Sequence, residues 1–171
     1  MKRIIRVAAL LIVMSIFGSI TAACAGDLPS IPEEGASIRI IIGVEDVGDE
    51  WGAVLVAAAY FDVVTHRRFV GQVLDDLSYN EELVFVYGGS SLTGRFVEAL
   101  GDLVPDDTLA FPSFEYIAIL ANGIDIRFVM PINNRTVDGY NFWFTNFGID
   151  TLPVVDGATY LFMIANQNWA F

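Results

Sequence analysis

Residues 51–65, WGAVLVAAAYFDVVT, decide the fold. They are apolar on every face, so neither a two-residue nor a 3.6-residue period separates a buried strand from a buried helix. Their Val, Tyr and Phe content favours a strand. As a strand, 51–65 pairs with 67–74 (RRFVGQVL) through a turn at Thr65-His66. The chain is then mainly β, an antiparallel β-sandwich with one short helix. As a helix, 51–65 gives the order β-α-β-β-α-β-β and an α+β domain. We adopt the strand.

The neighbouring segments are short, apolar and divided by turn residues. Residues 37–44 (SIRIIIGV) and 82–87 (ELVFVY) read as strands, the second ending at Gly88-Gly89. Residues 114–121 and 124–130 flank Asn122-Gly123, a strong hairpin signal, because a type I′ turn needs positive φ at both central positions. That register sets Ala121, Ile119 and Ile117 opposite Ile124, Ile126 and Phe128 on one apolar face. Leu120, Ala118 and Tyr116 then lie opposite Asp125, Arg127 and Val129 on a partly wet one. Residues 140–147 (YNFWFTNF) and 158–166 (ATYLFMIAN) complete the strands. The helix is expected after Ser90-Ser91, a capping pair. Leu92, Phe96, Val97, Leu100, Leu103 and Val104 share its apolar face, Gly94 and Gly101 weaken it, and Pro105 ends it.

Val154-Val155-Asp156-Gly157-Ala158-Thr159-Tyr160 is similar to the tyrosine corner of fibronectin-III-type sandwiches. There an apolar residue and a turn lead a Tyr into the penultimate strand. The resemblance implies that the Tyr160 hydroxyl bonds to backbone upstream. It covers about a dozen positions, and the family's Trp landmark is not placed.

Composition narrows the function. The chain has 171 residues, 54% of them apolar and 18% charged, which suits one packed domain and excludes disorder. Nine basic residues against 21 acidic ones would repel phosphate, so nucleic acid is excluded as a partner. One cysteine cannot form an internal disulfide framework. A single apolar run excludes a multi-span membrane protein.

That run lies at the amino terminus. Lys2, Arg3 and Arg6 precede 14 apolar or small residues, Val7 to Ile20, and then Thr21-Ala22-Ala23-Cys24. A basic start, a short apolar stretch and a small-residue exit read as a secretory signal peptide. Ile20-Thr21-Ala22-Ala23-Cys24 resembles the lipobox of bacterial lipoproteins, with Thr21 where Leu is commonest. The resemblance implies cleavage before Cys24, a diacylglyceryl group on its thiol and an acylated amine. Ala23-Cys24-Ala25 also fits an ordinary A-x-A exit, which would release an unanchored protein. Ala25 lacks the Asp that often retains such lipoproteins at an inner membrane. The implied address is the cell envelope: the outer membrane where the source has one, otherwise the outer face of the cell membrane. Three basic residues leave with the leader, so six remain against 21 acidic, a net of −15. Acyl chains rather than charge must then hold the protein to a bilayer. Residues 24–36 read as the lipidated Cys and a flexible tether, and 37–171 as one β-rich domain.

Each candidate for chemistry has a plain structural alternative. Glu45, Asp46, Asp49 and Glu50 form an acidic stretch with Gly43 and Gly48, suited to a hard cation such as Ca²⁺ or simply to solvation. It has no EF-hand spacing. Asp102, Asp106 and Asp107 gather where the expected helix ends, an unfavourable place for negative charge. His66, the sole histidine, has no Cys or His partners for zinc or a nucleophile and reads as a turn residue. Gly88–Gly94 could hold an anion at a helix start but lacks a Walker Lys. Trp51, Trp143 and Trp169, with Tyr140, Phe142 and Phe144, could make a sugar- or peptide-binding face. Alternation sends Tyr140, Phe142 and Phe144 to the core and leaves Trp143 exposed, a ligand-binding candidate. No catalytic set and no cofactor motif is visible. The expectation is a non-enzymatic envelope lipoprotein that binds envelope proteins or glycans, with small-ligand or Ca²⁺ binding as the alternative.

Overall fold

A computed structural model describes residues 27–48, 52–90, 94–106, 108 and 113–168. The leader and Cys24 lie outside these, as do Asp49, Glu50, Trp51, Asp107 and Trp169. The chain is mainly β with one short helix. Its elements are β1 (Ala36–Gly48), β2 (Gly52–Thr65), α1 (Val70–Tyr79), β3 (Phe85–Ser90), β4 (Gly94–Leu100), β5 (Ser113–Asn122), a 3-10 turn (Ile126–Phe128), β6 (Val129–Val137), β7 (Tyr140–Thr145) and β8 (Thr159–Asn168). Six strands form one curled sheet in the order β2-β1-β8-β5-β7-β6, and β3-β4 form a second. Neighbours run antiparallel except β1 and β8, which run parallel from Arg39–Thr159 to Gly43–Met163.

Of segment 51–65, residues 52–65 form the edge strand β2, paired with β1 and not with 67–74. Ile42 lies opposite Ala59 but Gly43 opposite Ala57, so Ala58 is an inserted residue, a β-bulge. The bulge turns the side-chain alternation over. Leu55 and Ala57 join one apolar cluster, while Ala59, Phe61 and Val63, of the same parity, join the other. A strand that switches faces midway has no single two-residue period, hence the apolar reading on every side.

Three expectations are corrected. The helix is 70–79 and not 90–104. Val70, Val73, Leu74 and Leu77 are buried at i, i+3, i+4 and i+7, the stripe that helix burial requires. The Gln72 side chain accepts from the N–H groups of Arg68 and Phe69 and ties off the first turn. Residues 94–100 instead form β4, paired with β3. Gly94 and Gly101, with φ of +77° and +58°, leave the helical region at both ends of the segment. Leu100 and Leu103 exchange both backbone hydrogen bonds, and Phe96 and Val104 are exposed. Finally, Asn122-Gly123 does not join two paired strands. Gly123 has a φ of +79° and sits against the backbone of Gly157 and Ala158, where a Cβ would be 3.3 Å from both. Asp125 then caps the 3-10 turn through the Arg127 N–H, and β5 pairs with β8 and β7. The type I′ hairpin is at Asp138-Gly139, where φ is +50° and +81°, between Val137 and Tyr140.

The sheet separates two cores. Its outer face carries Ile38, Ile40 and Ile42 of β1, Tyr160 and Phe162 of β8, and Ile117 and Ala121 of β5. These are covered by α1, by the β3-β4 hairpin through Val97 and Leu100, and by Ile149, Leu152 and Val154. Its inner face carries Ile41, Leu55, Ala118, Leu120, Phe142, Leu161 and Met163, closed off by the curl of the sheet itself. Tyr160 is fully buried; its hydroxyl donates to the Pro153 carbonyl (2.7 Å) and accepts from the Val155 N–H (3.0 Å). This is the upstream backbone contact expected of it, although β8 is the last described strand. Burial pushes its phenol pKa up.

The segment before β1 is tied down from Ile31 onward. Ile31 packs on the outer-face core, Pro32 and Gly35 close a turn, and His66 Nε2 meets the Glu33 carbonyl at 3.0 Å. Among the described residues no helix is long and apolar enough to cross a membrane.

Candidate binding site at the mouth of the curl

The inner-face rows of the sheet change character at one end. Along β8 the row runs Met163, Leu161, Thr159; along β5 it runs Ala118, Leu120, Asn122. Along β7 it runs Phe144, Phe142, Tyr140, and along β1 Ile41, Arg39. Each row ends in a polar or amphipathic side chain at the same rim. Strands place every second residue on one face, so pairing register alone gathers these ends. Together they line a cavity of about 240 Å³ floored by Ile41, Val137 and Phe142.

The rim groups are held in place. Arg39 forms a two-pronged ion pair with Asp62 across the β1-β2 ladder, at 2.6 and 2.9 Å. The guanidinium holds the Asp62 carboxyl below the usual carboxylate range, and Asp62 raises Arg39 in turn. The guanidinium also lies 5.7 Å from the centre of the Tyr60 ring. The Tyr60 hydroxyl donates to Asp138 in the β6-β7 turn. That bond joins the two outermost strands of the sheet, β2 and β6, near the point where the curl would close. It also raises the Tyr60 pKa, because losing the proton would break the bond and set two negative charges together. Asn122 Nδ2 donates to the Asn141 carbonyl at 2.6 Å. Tyr60 and Tyr140 remain 49% and 66% exposed, so two aromatic rings are open to solvent here.

The other concavities differ in chemistry. A cleft of about 390 Å³ between β2 and α1 is lined by Asp62, Asp76 and Glu82, but Arg39 and Arg67 already engage the two aspartates. A groove of about 250 Å³ between β4 and the β5-β7 end is apolar, with Phe96, Met130, Phe144 and Phe147.

The candidates from sequence fall elsewhere. Glu45 and Asp46 are strand residues of β1, opposite Leu55 and Val54, and not part of a loop. Asp49 and Glu50 lie outside the described residues, as does Cys24. Among the described residues no three His, Cys, Asp or Glu side chains gather as metal ligands. Trp143 is not an exposed platform: it is half-buried against the outer-face core, because that face too is covered. Phe142 is buried as expected, whereas Tyr140 reaches past the core to the rim. Asp102 is exposed in the turn after β4, and Asp106 accepts from the N–H and hydroxyl of Thr108. Residues 88–90 belong to β3, and the next described element is the strand β4. Arg39, Tyr60, Asn122 and Asp138 were not singled out by sequence. Arg39 and Asn122 carry an advance signal, a polar residue two positions from a buried one near a strand end; Tyr60 and Asp138 carry none.

No family model matches the chain, and no curated protein matches it. Among solved structures, a protein of Ruminococcus gnavus ATCC 29149 with a provisional designation as metal binding is similar over 77% of this chain and 98% of its own. The identity is 16% and the TM-score 0.44. A likeness that distant says nothing about what this chain binds.

Proposed function

We propose that this chain is an exported, lipid-anchored module of the cell envelope that acts by binding and not by catalysis. The observation that carries the reading is the order of residues 2–24: basic start, short apolar run, small residues, Cys24. A Cys bearing two or three acyl chains stays on a bilayer where one chain would hold only marginally. Cys24 and the packed Ile31 are seven residues apart, a reach of at most about 25 Å at ~3.5 Å per residue, so the domain stays near the lipid surface. The binding role is supported by the rim, whose Arg39-Asp62 and Tyr60-Asp138 pairs are mutually satisfied and leave no activated nucleophile among them.

Metabolic labelling with radioactive palmitate tests the anchor. Wild type takes up label and fractionates with membranes, while Cys24→Ala does neither. An unlabelled wild type refutes the anchor. Small-ligand binding is the second reading, favoured by the cavity at the mouth of the curl.

A further inference from the structure

We infer that the mouth of the curl binds a single neutral sugar ring. The inference rests on the binding role above and names its ligand class. The cavity is amphipathic in the way a sugar is. Its floor of Ile41, Val137 and Phe142 is apolar, and its rim presents Arg39, Asn122 and Asp138. A pyranose offers a face of C–H bonds, weakly positive, and an edge of hydroxyls. The C–H face suits an aromatic ring, whose face is negative; Tyr140 and Tyr60 supply two such rings. The hydroxyl edge suits planar polar side chains that can bond two neighbouring hydroxyls at once, as guanidinium, carboxylate and amide do. These groups are already fixed by Asp62, Tyr60 and the Asn141 carbonyl, which lowers the ordering cost of binding.

Charge removes the competitors. An anion meets a chain of net charge −12 and a guanidinium already neutralised by Asp62. A metal ion meets the Arg39 cation, and among the described residues no three His, Cys, Asp or Glu side chains gather to hold it. A purely apolar ligand would strip water from the rim without replacing its hydrogen bonds. A neutral polyhydroxy ring avoids all three penalties. The volume, about 240 Å³, is just under the ~300 Å³ at which drug-sized pockets begin and suits one ring.

The test is calorimetry on the full chain in detergent with glucose, galactose, mannose and N-acetylglucosamine, alongside glucuronate and Ca²⁺. We expect millimolar binding of at least one neutral sugar. Tyr140→Ala, at a position 66% exposed and so expected to keep its melting temperature, should weaken it at least tenfold. Asn122→Ala should weaken it too, and Val64→Ala, on a different part of β2, should not. Silence with all four neutral sugars overturns the inference. So does sugar binding that survives Tyr140→Ala, or saturation by glucuronate or Ca²⁺ alone. The anchor is read separately: palmitate label without sugar binding sinks this site only, and sugar binding without label sinks the anchor only.

Discussion

The two faces of the six-stranded sheet solve the same problem differently. The outer face is buried by added elements: α1, the β3-β4 hairpin and residues 149–154. Their side chains fill the space, and Phe162, Tyr160 and Leu74 are wholly buried. The inner face is buried by curvature alone. A curl that stops short of a closed barrel leaves an end open, and at that end the apolar rows give way to Arg39, Asn122, Tyr140 and Thr159. Covering a sheet with helices makes a core, whereas bending it on itself makes a core with an entrance.

The sharpest test compares a buried Phe from each face. Phe162→Ala should cost about 3–5 kcal/mol in chemical denaturation, the transfer loss plus a cavity. Phe142→Ala should stay near the low end, about 3 kcal/mol, because the space it leaves opens to the mouth and can hydrate. Equal losses would erase the distinction between a sealed core and an open one. Tyr160→Phe comes next. It strands the Pro153 carbonyl and the Val155 N–H, and it should lower stability by about 1–3 kcal/mol with an unchanged denaturant slope.

A smaller effect should come from Arg95, which fastens the hairpin to the outer face. Its guanidinium donates to Asp75 of α1 at 2.6 Å and to Asp150 at 2.7 Å, and it stacks over the Tyr87 ring. The aspartates are 45% and 34% exposed, so solvent screens the pairs, and Arg95→Met should cost about 1–2 kcal/mol by thermal melting. A loss no larger than that of Arg135→Met would mean the hairpin is held by apolar contact alone.

The smallest effect belongs to the Tyr60-Asp138 bond across the curl. Tyr60 has a raised pKa in the folded state, so its contribution is complete below the ordinary tyrosine value of about 10 and is lost as pH rises through the raised value. Ultraviolet titration should show two phenols ionising late in wild type, Tyr60 and the buried Tyr160, and only one in Tyr60→Phe, with little change in stability at neutral pH. A Tyr60 that ionises at the ordinary value would leave the curl without this tie.

Sequence and structure agree where one period rules a segment. β1 and β8 alternate cleanly between the two cores and are readable from residues alone; in β5 the apolar face of Ile117, Ile119 and Ala121 is readable, but the face expected to be partly wet buries Ala118 and Leu120 in the inner core. Tyr160 was readable because its turn and its neighbours are local. The α1 stripe of Val70, Val73, Leu74 and Leu77 was equally visible, but assigning 67–74 to a partner strand for 51–65 hid it. For β4, Val97, Leu100 and Leu103 are buried at helical spacing by coincidence, and the two glycines were the better guide. The mouth was not legible, because Arg39, Tyr60, Asn122, Asp138 and Tyr140 come from separate strands and turns, and only the register of the sheet brings them together.

The position of β8 governs when this fold can exist. It lies between β1 and β5, so without it the sheet falls into two pieces, β2-β1 and β5-β7-β6. A ribosome delivers the chain from its amino terminus, and β8 emerges after the other described strands. Until then β1 lacks a neighbour that lies 120 residues further along, at Thr159 for Arg39. Assembly of the six-stranded sheet therefore waits for β8. Until β8 arrives neither core can close, because Tyr160 and Phe162 belong to one and Leu161 and Met163 to the other.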